Sequence, residues 1–147
     1  MNVKIYSKKA IEELLKRVDK LENTAVISFY DPPNAKGERA NPVDYKNKAE
    51  MIFQVAVNDI DMEVLPEYGF TFDTFFIEAE ELAEFIKKAN RKNMDIICQC
   101  EYGQSRSAAC AAAILEYYEK KGISIFADYR YYPNQVIFNK IYNALKK

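Results

Sequence analysis

No histidine occurs anywhere in the 147 residues. Ser-His-Asp triads, Cys-His thiol proteases and histidine-ligated zinc sites are therefore excluded. Cysteine is scarce as well: Cys98, Cys100 and Cys110 are too few for a four-thiolate metal site, and an odd number lacks the even spacing of a secreted disulfide framework. Together these absences predict a reducing, cytoplasmic compartment and chemistry without a metal or cofactor. Charge of one sign is also missing, with 21 lysines and arginines against 22 acidic residues, so neither nucleic acid nor a membrane surface is expected as a partner. The N-terminus lacks the apolar core of a signal peptide, and no uninterrupted apolar run approaches the length of a membrane span. The length fits one domain, residues 1–147, able to bury most of its apolar surface without staples.

What is present alternates. Asn2 to Tyr6 reads as a short strand, and Ser7 as the cap of a helix carrying Ile11, Leu14, Val18 and Leu21 on one face. Thr24 to Tyr30 reads as a central strand and Met51 to Val57 as a third, with Asp31 to Lys48 a long turn-rich connection between them. Leu65 to Phe72 looks irregular, Asp73 to Ala89 helical, and the extended, aromatic tail Ile125 to Asn134 leads to a last helix with Asn134 as its cap and Ile137, Ile141 and Leu145 inward. Such alternation predicts an α/β fold: a central, mostly parallel sheet of four or five strands with helices on both faces.

One stretch stands apart: Asp95-Ile-Ile-Cys-Gln-Cys100-Glu-Tyr-Gly-Gln-Ser-Arg-Ser107, followed by an alanine-rich run. An apolar run too short for a helix predicts a buried strand ending at Cys100, and the alanines predict a buried helix ended by Gly122. The loop Glu101, Tyr102, Gly103, Gln104, Ser105 thus opens onto a helix N-terminus, where backbone N–H groups and the helix dipole favour an anion. Gly103 lets the backbone close around a bound group, and the Arg106 fork suits phosphate oxygens. A thiol there loses its proton readily, since model cysteine titrates near ~8.5 and such surroundings lower that by several units, which makes Cys100 a candidate nucleophile. Ser107 can hydrogen-bond the sulfur and ease its departure. The plain alternative is a buried core cysteine and a surface arginine.

Cys100 to Ser107, with the strand before and the small-residue helix after, resembles the signature loop of the cysteine-dependent protein tyrosine phosphatases, closest to the small dual-specificity branch. The likeness is close over residues 95 to 115 and loose over 24 to 145. That family usually has histidine immediately before the cysteine, where this chain has Gln99, and the difference bears on thiolate activation. The resemblance implies the phosphatase fold, a phosphocysteine intermediate, and a carboxylic acid on a second loop to protonate the leaving oxygen. Asp59, directly after the third strand in Val-Asn-Asp, resembles the family's acid, with Asp61 the alternative. The resemblance also gives the early loop a part in shaping the mouth, through Asp31 or Tyr45. Tyr129, Tyr131 and Tyr132 are candidates for lining a slot for an aryl phosphate.

The expected substrate is a phosphorylated protein or a small phosphate ester; oligomeric state stays open. Two rivals use the same loop: a catalytically weak phosphate- or phosphopeptide-binding module, and a rhodanese- or arsenate-reductase-like thiol enzyme. Turnover of p-nitrophenyl phosphate with and without vanadate, then of thiosulfate or arsenate with a thiol reductant, separates the three.

Overall fold

A computed structural model of the chain describes residues 1–34, 36–37 and 41–147. Four strands, β1 (Val3–Ser7), β2 (Leu21–Tyr30), β3 (Ala49–Ala56) and β4 (Asp95–Cys100), form one sheet in the order β1-β4-β2-β3, with every pair parallel. Sheet position is written in the side chains. Central β2 and β4 are almost continuously buried, as a strand covered on both faces must be, whereas edge strand β3 alternates.

The helices are α1 (Lys8–Arg17), α2 (Ala79–Arg91), α3 (Arg106–Glu119), α4 (Ile123–Phe126) and α5 (Gln135–Lys146). Ala25, Ile27 and Phe29 of β2 and Ile96 and Cys98 of β4 pack in one core with Leu82 and Ile86 of α2, Ile114 of α3, and Ile137 and Ile141 of α5. The alternate residues Val26 and Ile97 turn to the other face, where Ile11 and Leu15 of α1 cover them. Period-two strand geometry thus builds a core on each side of the sheet.

Several boundaries differ from the sequence reading. Ser7 does cap α1, its Oγ accepting from Ala10 N at 3.1 Å, but the helix stops at Arg17. Leu21 opens β2 instead of continuing the helical stripe, because Val18 turns extended and Lys48 donates to its carbonyl at 2.8 Å. Residues 71–78 make turns, so α2 begins at Ala79 and not at Asp73. The 3₁₀ helix Met62–Tyr68 takes in the first half of Leu65 to Phe72, the stretch expected to be irregular.

Lys120 in the left-handed region (φ 55°), not Gly122, ends α3. Gly122 answers a contact: a Cβ there would lie 2.9 Å from the Ala112 carbonyl oxygen. The aromatic tail contains the short helix α4 that periodicity did not reveal. Asn134 caps α5 as expected, its Oδ1 accepting from Ile137 N at 2.9 Å. Among the described residues no helix is long and apolar enough to cross a membrane.

Candidate active site

β4 ends at Cys100 in the middle of the sheet, and α3 begins at Arg106, so the loop between them lies beyond the carboxyl end of a central strand. Neighbouring chain holds it from outside. The carbonyls of Glu101, Gln104 and Ser105 accept from the N–H groups of Lys8, Tyr132 and Asn134 at 3.0, 2.8 and 3.3 Å. Among the described residues, none of the N–H groups of Glu101 to Arg106 donates to a backbone carbonyl. Ser105 occupies the N-cap position of α3 without capping it, which leaves that helix end open to an anion.

Gly103 is required on two counts. Its φ of 67° suits only glycine without strain, and a Cβ would stand 2.7 Å from Ser7 N and 3.0 Å from the Tyr6 carbonyl carbon. The signature loop is pressed onto the β1–α1 junction.

Cys100 is 2% exposed, with its Sγ 3.0 Å from Ser107 Oγ. Arg106 is 4% exposed and turned inward, its Nη1 donating to Asp31 Oδ1 and to the Val57 carbonyl, both at 2.8 Å. Its Nε is buried and has no acceptor among the described residues. Buried polar groups are nearly always paired, so a buried guanidinium N–H and a run of loop amides without partners among the described residues are donors that an anion can fill.

Gln99, in the position before the cysteine, is buried beneath the loop. Its Nε2 donates to the Cys100 carbonyl at 3.0 Å, while its Oε1 accepts from Ser28 Oγ at 2.5 Å and Tyr45 Oη at 2.8 Å. Gln54 continues the network, its Nε2 donating to Ser28 Oγ at 3.3 Å and to the Val43 carbonyl at 2.7 Å. Tyr45 therefore does not shape the mouth; it braces Gln99 from the α1 face of the sheet, and burial pushes its phenol well above the ordinary tyrosine range. Asp31 does stand at the mouth, holding Arg106.

Asp59, not Asp61, is the carboxylate hydrogen-bonded to the signature loop. Its Oδ1 accepts from Ser105 Oγ at 2.7 Å and from Asn134 Nδ2 at 2.9 Å. Asp61 starts the 3₁₀ helix with no side-chain cap bond and lines a neighbouring groove. Asn134, 5% exposed, also donates to the Ile60 carbonyl at 3.0 Å. It thus ties Asp59 and Ile60, the signature loop and α5 together.

The mouth is a groove of about 610 Å³ that includes Lys8, Asp31, Asp59, Glu101, Tyr102 and Arg106. Tyr102, 77% exposed, is the aromatic at its rim. Tyr129 lines no part of it, and Tyr131 and Tyr132 face the neighbouring groove instead.

No family model matches the chain, and no curated protein matches it. Solved structures do. Human DUSP28 superposes with a TM-score of 0.53 at 17% identity, over 98% of this chain and 91% of that one. PTPMT1 in complex with PI(5)P gives 0.54 at 14%, over 99% and 90%, and Tk-PTP in the active form 0.53 at 11%, over 100% and 93%. The fold is that of a dual-specificity-phosphatase-like cysteine phosphatase.

Within that phosphatase fold the sequence reading brought together Cys100, Arg106, Ser107 and Asp59, and the structure sets them around one loop. It missed the second duty of Asn134, read only as a cap, and the support of Gln99 by Ser28 and Tyr45. The former had no local signal: Asn134 and Asp59 are 75 positions apart. Cys98 and Cys110 are buried free thiols behind the loop; burial, with a hydrogen bond to Cys98, pushes the Cys110 thiol well above its ordinary value, which keeps it protonated and unreactive.

Proposed function

We propose that this chain hydrolyses phosphate monoesters, of the phosphotyrosine or dual-specificity kind, through a phosphocysteine. The observation that carries the reading is the set of donors with no partner among the described residues, the loop amides and the buried Arg106 Nε, on the loop that runs from Cys100 to Arg106. Phosphoryl transfer asks for placement and charge stabilisation more than for covalent help, and this site offers both. The Cys100 thiolate attacks phosphorus, forming the S–P bond as the P–O bond to the leaving group breaks. The Arg106 guanidinium and loop N–H groups hold the equatorial oxygens. Asp59 gives its proton to the leaving oxygen, which departs as an alcohol or phenol.

Water then attacks phosphorus and loses a proton to the Asp59 carboxylate. The P–S bond breaks, phosphate leaves, and the Ser107 hydroxyl at 3.0 Å hydrogen-bonds the returning thiolate. The Gln99 network supports this reading from below: its bond to the Cys100 carbonyl holds the nucleophile's backbone where the family has histidine.

Steady-state hydrolysis of p-nitrophenyl phosphate is the test. The wild-type protein turns it over and vanadate inhibits; Cys100→Ser abolishes turnover. Turnover that survives Cys100→Ser overturns the assignment.

A further inference from the structure

Asp59 stands where two grooves meet. On one side is the signature-loop mouth; on the other is a groove of about 570 Å³ that includes Asp61, Met62, Glu63, Tyr131 and Tyr132. Ser105 and Asn134, the two residues that hold Asp59, line this second groove, so the pair is continuous across that carboxylate. A substrate segment that leaves the mouth past Asp59 enters this second groove.

Among the described residues the charge along this path is mostly negative. Among the described residues lining the two grooves, Asp31, Asp59, Asp61, Glu63 and Glu101 face only Lys8 and Arg106. Arg106 is paired with Asp31, which leaves four exposed carboxylates against a single ammonium, itself bonded to the Asn41 carbonyl at 2.8 Å. Arg130 lies near, its guanidinium carbon 5.2 Å from the centre of the Tyr131 ring, but Asp128 pairs with it and cancels its charge. The donors that would welcome a phosphate thus lie in the loop, and the described residues lining the two grooves are, on balance, unfavourable to further negative charge. Tyr132, 73% exposed, offers an open ring face beside Asp61 and Glu63, which suits the flat guanidinium of arginine or the stem of lysine.

We infer that the substrate is a phosphorylated protein segment with arginine or lysine flanking the phosphorylated residue, the cationic side chain lying in the Asp61–Glu63–Tyr132 groove. The inference rests on the phosphatase reading and narrows it. A phosphoinositide in an anionic bilayer presents the opposite charge to the same rim and is the poorer ligand, although PTPMT1, whose fold this chain shares, has been seen with PI(5)P.

The full chain is assayed at low ionic strength on two phosphotyrosine peptides identical except for two flanking arginines or two flanking glutamates, and on vesicles containing a phosphoinositide. The arginine peptide is turned over with a kcat/KM about tenfold above the glutamate peptide, the sum of several weak exposed charge contacts. The preference collapses near 1 M salt, where the screening length is about 3 Å. Glu63→Lys lowers the ratio between the two peptides. Equal rates, a preference for the glutamate peptide, a ratio unmoved by salt and Glu63→Lys, or faster hydrolysis of the vesicles overturns the inference. p-Nitrophenyl phosphate, which has no flanks, tells the two failures apart: Cys100-dependent turnover without peptide preference removes this inference alone, and its absence removes the phosphatase reading and this inference with it.

Discussion

Replacing Asn134 with aspartate alters one end of a side chain and keeps the other. The Oδ1 that caps α5 at 2.9 Å from Ile137 N survives, since aspartate caps as well as asparagine. The Nδ2 that donates to Asp59 Oδ1 at 2.9 Å and to the Ile60 carbonyl at 3.0 Å becomes an oxygen facing two oxygens. A hydrogen bond to a carboxylate is worth about 1.5–3 kcal/mol and one to a carbonyl about 1 kcal/mol, so the acid loop loses roughly 3 kcal/mol of restraint before repulsion is counted. In the proposed mechanism the carboxylate then no longer sits where the leaving oxygen needs its proton. General acid catalysis contributes about 10²–10⁴-fold, and a displaced acid forfeits much of it only where the leaving group depends on it.

The assay is kcat on aryl phosphates of graded leaving-group acidity. Asn134→Asp lowers kcat by about a hundredfold for phosphotyrosine and a few-fold for p-nitrophenyl phosphate. Placed in an Asp59→Ala background, the same substitution adds little, because the group it positions is gone. Equal losses on both leaving groups, or full additivity with Asp59→Ala, refute the reasoning and leave Asn134 a helix cap.

Gly103→Ala places a Cβ 2.7 Å from Ser7 N at a φ of 67°, so the loop must shift off the β1–α1 junction. It costs about 1–2 kcal/mol in backbone strain alone, read by thermal unfolding, and vanadate affinity falls by more than that stability change accounts for. Gln99→Leu strands the Ser28 and Tyr45 hydroxyls without their buried acceptor and lowers stability by about 2–4 kcal/mol in urea titration, while Gln99→His, which keeps a donor and an acceptor, costs less. The raised Cys110 thiol and Tyr45 phenol set a pH dependence. Above about pH 8.5 the unfolded chain's thiol ionises, and above about pH 10 its phenol, while both stay protonated in the fold. The native state then binds the extra protons, so the urea midpoint falls as pH rises from 8 to 10.5.

The residues of the proposed oxyanion cradle lie in one short run, so the sequence alone specified them: strand period, glycine, arginine and small-residue helix are local features, and local sterics and dipoles decide what they form. The alternation of elements likewise fixed a parallel α/β sheet with both faces covered, because only that arrangement buries continuous apolar strands. Helix ends were less legible, as at Leu21, Asp73 and Lys120, since neighbouring elements and not propensity set where they stop. Only the packed molecule chose Asp59 over Asp61 as the acid touching the loop, gave Asp31 to Arg106, and set Tyr45 under Gln99. Each of those contacts joins residues tens of positions apart, and nothing in either local segment encodes the partner it will meet once the sheet has closed.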